Sequence, residues 1–116
     1  MGRQLAFWKY EDGTKLDARK VYEKSCVEGI EVEGLAMLPN DEILSKAKKV
    51  FRDYEQLDDY NYGGLFGSFT IYINPGSVVF DCSFRMNEAE LNKIIDLMAE
   101  FGCPLYDPQI DVRFDG

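Results

Sequence analysis

At 116 residues, with 46% apolar and 14% aromatic side chains, the chain is long enough for one domain with a real core. Its formal net charge is −8 and it contains no histidine, which excludes Ser-His-Asp and Cys-His catalysis. Residues 1–52 carry 10 Lys/Arg and 9 Asp/Glu and residues 53–116 carry 3 and 12, so the halves are +1 and −9. A field of that sign opposes nucleic acid and anionic membrane and favours a basic partner. It serves solubility equally well.

Cys26, Cys82 and Cys103 are odd in number and lack CxxC spacing. That argues against a disulfide framework or a zinc site. Cys82 and Cys103 read as buried small hydrophobes. The start, from Met1 to Leu5, lacks the apolar run of a signal peptide. No apolar stretch approaches the ~20 residues of a membrane span. A reducing cytosol is the expected compartment.

Leu5 to Tyr10 is aromatic-rich and predicts a strand, with Glu11-Asp12-Gly13 as the turn after it. Thr14 is positioned to cap a helix to about Val27, with Ala18, Val21, Tyr22 and Cys26 inward. Ile30 to Leu38 reads as a connection with room for a short strand. Asn40 is the expected cap of a second helix from Asp41 to about Tyr54, acidic at its start and basic at its end as the helix dipole favours. Glu55 to Gly67 fits neither period and reads as a loop, with a frayed edge strand near Gln56–Tyr60.

Phe69, Ile71 and Ile73 then alternate with polar residues, as in a half-buried strand. Pro75-Gly76 suits a type II turn, and Val78, Phe80, Cys82 and Phe84 form the apolar side of a returning strand. Asn87 and Glu90 spell a capping box, followed by a stripe of Leu91, Ile94, Ile95, Met98 and Phe101. Gly102 and Pro104 stop that helix. Leu105-Tyr106 predicts a last short strand, followed by a Pro108 turn and alternating Ile110, Val112 and Phe114. The expected fold is one α+β domain over residues 1–116, a two-layer sandwich of a mainly antiparallel sheet and about three helices.

Chemistry is harder to find. No phosphate-cradling glycine motif occurs, and the Gly63–Gly67 run lacks both a lysine and a following helix. Asp107, Asp111 and Asp115 recur at intervals of four and offer a carboxylate pair or a magnesium site to a small enzyme or ligand-binding domain. Carboxylates are also the commonest surface groups of an acidic chain. Tyr106, Asp107, Gln109 and Arg113 either line a pocket or shape a turn.

Tyr54, Tyr60 and Tyr62 beside Asp53, Glu55, Asp58 and Asp59 form an aromatic-acidic cluster. Tyrosine buries much area at small entropic cost, and carboxylates speed encounter with a basic protein. The competing reading has the tyrosines closing a sheet edge and the acids merely solvated. The candidate partner-binding residues are Asp53, Glu55, Asp58, Asp59, Tyr60 and Tyr62. No catalytic residue, metal or cofactor is assigned.

Leu38-Pro39 before a helix, the strand pair, Phe101–Gln109 (FGCPLYDPQ) and Val112–Asp115 (VRFD) together resemble small bacterial immunity proteins of polymorphic or contact-dependent toxin systems. The likeness spans Leu5 to Asp115, and its most specific piece is CPLYDPQ, which is not a catalytic signature. The resemblance implies a non-enzymatic, cytoplasmic inhibitor that occludes the active site of a cognate toxin domain, a basic nuclease. It carries over no binding residues. The alternative remains a small enzyme or ligand-binding domain built on the acidic tail.

Overall fold

The computed structural model describes residues 2–114. Its centre is β1 (Arg3–Trp8), hydrogen-bonded on both sides and buried on both faces. Leu5 and Phe7 point to one face, Ala6 and Trp8 to the other. The strand starts two residues before the expected Leu5 because Arg3 pairs with Cys82 in the neighbouring strand. Tyr10 makes only an isolated bridge to Leu35, which is all that forms of a strand in the Ile30–Leu38 connection.

Among the described residues, seven strands form one antiparallel sheet. They are β1, β2 (Glu55–Gln56), β3 (Asn61–Gly63), β4 (Phe69–Asn74), β5 (Ser77–Cys82), β6 (Leu105–Asp107) and β7 (Val112–Arg113). Their spatial order is β2-β3-β4-β5-β1-β6-β7. The Pro75-Gly76 turn joins β4 and β5 as expected, and Gly76 holds the positive φ of +77° that the turn requires. β5 ends at Cys82, so Phe84 is exposed rather than inward.

Helices α2 (Asn40–Val50) and α3 (Glu88–Ala99) cover the face of Leu5, Phe7, Ile71, Val78 and Phe80. The α+β class and the antiparallel sheet are as expected, but the expected two layers are replaced by cover on both faces. The first helix lies on the opposite face, over Ala6, Trp8, Val79 and Tyr106. It starts as α1 (Ala18–Val21) and continues as a π-helical segment, Tyr22–Val27. Its inward groups Val21, Tyr22, Ser25 and Cys26 fall at i, i+1, i+4 and i+5, a longer period than 3.6, which a π turn matches. Ser25 Oγ lies 2.7 Å from Ser77 Oγ and donates to the Pro75 carbonyl at 2.8 Å, fastening this helix to the β4–β5 turn.

The caps differ in detail from expectation. Asp17, not Thr14, caps the first helix, accepting from the Arg19 and Lys20 amides. Pro39 precedes α2, and Asn40 lies inside it. Asn87 caps α3 by accepting from the Glu90 amide at 3.1 Å. Glu90 does not reciprocate. Its buried carboxylate accepts from the Tyr54 hydroxyl at 2.7 Å and pairs with Lys93 at 3.1 Å. Burial and the adjacent Glu90 push the Tyr54 phenol well above its ordinary pKa, so it stays a donor.

α2 stops at Val50 because Phe51 and Tyr54 both turn into the core, in an aromatic cluster with Tyr62 and Phe69. On the other face Trp8 is fully buried with its indole N–H unpaired among the described residues. The unpaired donor costs about 1–3 kcal/mol. Burying the ring returns roughly 4–6 kcal/mol, and the Arg113 guanidinium sits over it at 5.2 Å, so burial wins.

Phe51→Ala is expected to lower unfolding free energy by about 3–5 kcal/mol, because its three aromatic neighbours, Tyr54, Tyr62 and Phe69, are too large to close the void. Urea unfolding measures it as a lower midpoint at unchanged slope, and a loss near zero would contradict this core.

Candidate functional site

Tyr54 leads from the end of α2 into β2, and β2 and β3 form a hairpin at one edge of the sheet. The stretch expected to be a loop is therefore largely paired. Glu55 faces Gly63 and Gln56 faces Tyr62. Leu57 and Asp58 donate their amides to the Asn61 carbonyl across the turn, at 2.9 and 3.5 Å.

The six candidate residues divide into three groups. Asp53 and Glu55 are exposed acids on the α2–β2 connection and the edge strand. Asp58 and Asp59 are exposed at the hairpin turn but are already engaged. Asp58 accepts from the Tyr60 amide at 2.8 Å, the Asn61 amide at 2.9 Å and the Asn61 side chain at 3.0 Å. Those donors hold its carboxyl below the ordinary aspartate range, the Tyr60 amide contributing most. Asp59 pairs with Lys48 of α2 at 3.3 Å.

The tyrosines part company. Tyr60 is 44% exposed and Tyr62 only 2%. Tyr62 stacks on Phe69 with ring centroids 4.9 Å apart and planes 9° apart. Strand alternation places it on the core face with Phe69, its cross-strand partner. It is therefore removed from the candidate surface and belongs to the sheet edge's packing. Tyr54 is likewise buried.

Sequence reasoning missed the apolar groups at both ends of the hairpin. Leu57 is exposed at the turn, and Leu65 and Phe66 are exposed in the loop from β3 to β4. Exposed apolar side chains rimmed by acids are a recurrent feature of protein-binding surfaces. Tyr72 on β4 is also half exposed. Its outward direction was legible in the alternation, though the bareness of the sheet around it was not.

The acidic tail does not converge. Asp107 is buried and pairs with Arg3 at 2.7 Å, and also accepts from the Gln109 amide at 3.0 Å. Asp111, at a positive φ of 53°, accepts from the Tyr106 hydroxyl at 2.6 Å. Burial, then that bond, pushes the Tyr106 phenol up to about 12. Arg113 donates to the Trp8 carbonyl at 2.7 Å and lies over the Tyr10 ring at 4.5 Å. The segment thus shapes a turn. Asp115 lies outside the described residues.

Among the described residues, no group of three or more His, Cys, Asp or Glu is placed to hold a metal ion. A recess of about 640 Å³ between α3 and the tail is lined by Ile95, Ala99, Gly102, Cys103, Pro104, Leu105 and Phe114, with no carboxylate among them. The three cysteines are free. Burial pushes Cys26 and Cys103 up to about 11 and Cys82 to about 12, so they remain unreactive thiols at neutral pH. No helix among the described residues is long and apolar enough to cross a membrane. No protein-family model matches the chain, and no curated protein matches it.

Because folding depresses the Asp58 pKa, its contribution is present above the unfolded-state pKa and is lost as pH falls through the lower, folded value. The Tyr60 and Asn61 amide signals should therefore titrate together, with a midpoint below that of an ordinary aspartate. NMR across the acid range reads this, and Asp58→Asn should abolish the shared transition. A normal midpoint would remove Asp58 as the clasp of the turn.

Proposed function

We propose that the chain is a non-enzymatic inhibitor that binds a basic protein, a cognate toxin domain of nuclease type, and occludes its active site. The observation that carries the reading is the β2–β3 edge, where the uncompensated acids Asp53, Glu55 and Asp58 lie among exposed Leu57, Tyr60, Leu65 and Phe66. Charge speeds encounter and the apolar groups supply contact area. The net charge of −9 over residues 53–116 supports a basic partner. The likeness to bacterial immunity proteins supplies the toxin as that partner. Three free thiols, two of them buried, suit a reducing cytoplasm.

The reading of the tail as an enzyme's acidic site has less support, since Asp107 and Asp111 are each held by an internal bond. Asp58 is a poor probe of binding, because reversing it also opens the turn. Asp53 and Glu55 are the cleaner pair.

The test is to search the neighbouring reading frame for a basic toxin-like domain and to co-express that domain with this chain, followed by association kinetics on the purified pair. Growth should be restored. Asp53→Lys with Glu55→Lys should slow association about tenfold at low salt, with the difference shrinking as salt rises. Failure to protect cells together with no measurable association would overturn the proposal.

A further inference from the structure

β4 is paired along its whole length on one side only. Toward β5 all six residues, Phe69 to Asn74, have partners. Toward β3 the ladder covers Phe69 and Thr70, and one further bond runs from the Ile71 amide to the Tyr60 carbonyl at 2.8 Å.

Antiparallel strands alternate their backbone groups between neighbours. The Ser83 amide donates to the Ser68 carbonyl at 2.8 Å, which sets the even-numbered residues of β4 toward β5. The odd ones, Phe69, Ile71 and Ile73, point their backbone groups outward. Among the described residues, nothing from the outer side bonds the Ile71 carbonyl or the Ile73 amide and carbonyl.

The ladder stops for an identifiable reason. The Tyr60 amide would reach the Ile71 carbonyl if β3 continued. It donates instead to the Asp58 carboxylate. That bond curls the chain away and leaves the second half of the β4 edge bare. A groove of about 310 Å³ runs along it, lined by Tyr60, Thr70, Ile71, Tyr72 and Ile73. Tyr60 and Tyr72, 44% and 50% exposed, flank it.

We propose that this open edge of β4, from Ile71 to Asn74, docks an extended, lysine- or arginine-bearing segment of a partner protein, which joins the sheet as an added strand. Three outward backbone groups supply the pairing, and the two tyrosines supply contacts for alternate side chains. The Asp58 carboxylate, held only by neutral donors, stands at the end of the edge and selects a cation. A second copy of this chain is disfavoured as occupant, because it would bring two molecules of charge −8 together at their acidic ends. The inference rests on the reading of the chain as a binder of a basic protein, and adds the mode of contact.

The probe is a short synthetic peptide alternating lysine with valine, added to the isotope-labelled full chain, beside its fully N-methylated counterpart. Both carry the same charge, but only the first can pair as a strand. The unmodified peptide should shift the Ile71–Asn74 amide signals and slow exchange of the Ile73 amide about tenfold or more. The N-methylated peptide should do neither. Tyr72→Lys, at an exposed position, should weaken binding about tenfold while leaving thermal unfolding unchanged.

Equal binding of the two peptides would overturn strand addition. If that binding were lost on Asp53→Lys with Glu55→Lys, the acidic surface would survive and only the docking mode would fall. Binding of neither peptide, or concentration-dependent dimerisation that protects the Ile73 amide without peptide, would also overturn the proposal.

Discussion

Burial of β1 and β5 on both faces is the constraint on which the rest of the molecule depends. A strand bare of helices on one side tolerates polar residues at every second position. β1 does not, because Leu5 and Phe7 need cover on one side and Ala6 and Trp8 on the other. The chain meets that demand with α2 and α3 on one face and the first helix on the other. Three helices cannot cover seven strands twice. The cover on the first helix's side is spent on β5, β1 and β6, and the outer part of β4 with the β2–β3 hairpin is left open on that face.

Most of this architecture was legible in the chain, and for physical reasons. The alternation of Phe69, Ile71 and Ile73, the Pro75-Gly76 turn and the stripe of α3 all depend on local periodicity and local dihedral preference, which short segments report faithfully. Helix starts were less legible, because Thr14 and Asp17 offer equally good caps and the choice rests on which residues reach the sheet. The β2–β3 hairpin was hidden for a different reason. Strands of two and three residues carry almost no period, and their pairing is specified by Tyr62 packing on Phe69, a tertiary contact.

The candidate surface was half legible. Clustered acids were visible, but their division of labour was not. Asp58 clasps a turn, Asp59 pairs with Lys48 of the preceding helix, and only Asp53 and Glu55 stand clear in the solvent. Tyr62 failed as a surface residue because it lies within β3 and faces Phe69, whereas Tyr60 lies in the turn before that strand and is exposed. Composition reports the charge of a region, whereas side-chain direction decides which groups a partner can touch. The tail repeats the lesson: even spacing of Asp107 and Asp111 does not bring them together, because Asp107 turns to Arg3 and Asp111 to Tyr106.

Function on this account comes from an unfinished sheet, in which a carboxylate diverts one amide from the ladder and so keeps part of an edge available. The most direct measurement is residue-resolved amide hydrogen exchange on the free chain. Exchange should be slow at Ile71 and Tyr72, whose amides are bonded, and fast at Ile73 between its protected neighbours. Protection of Ile73 matching that of Tyr72 would mean that the edge is already closed, and would contradict the account.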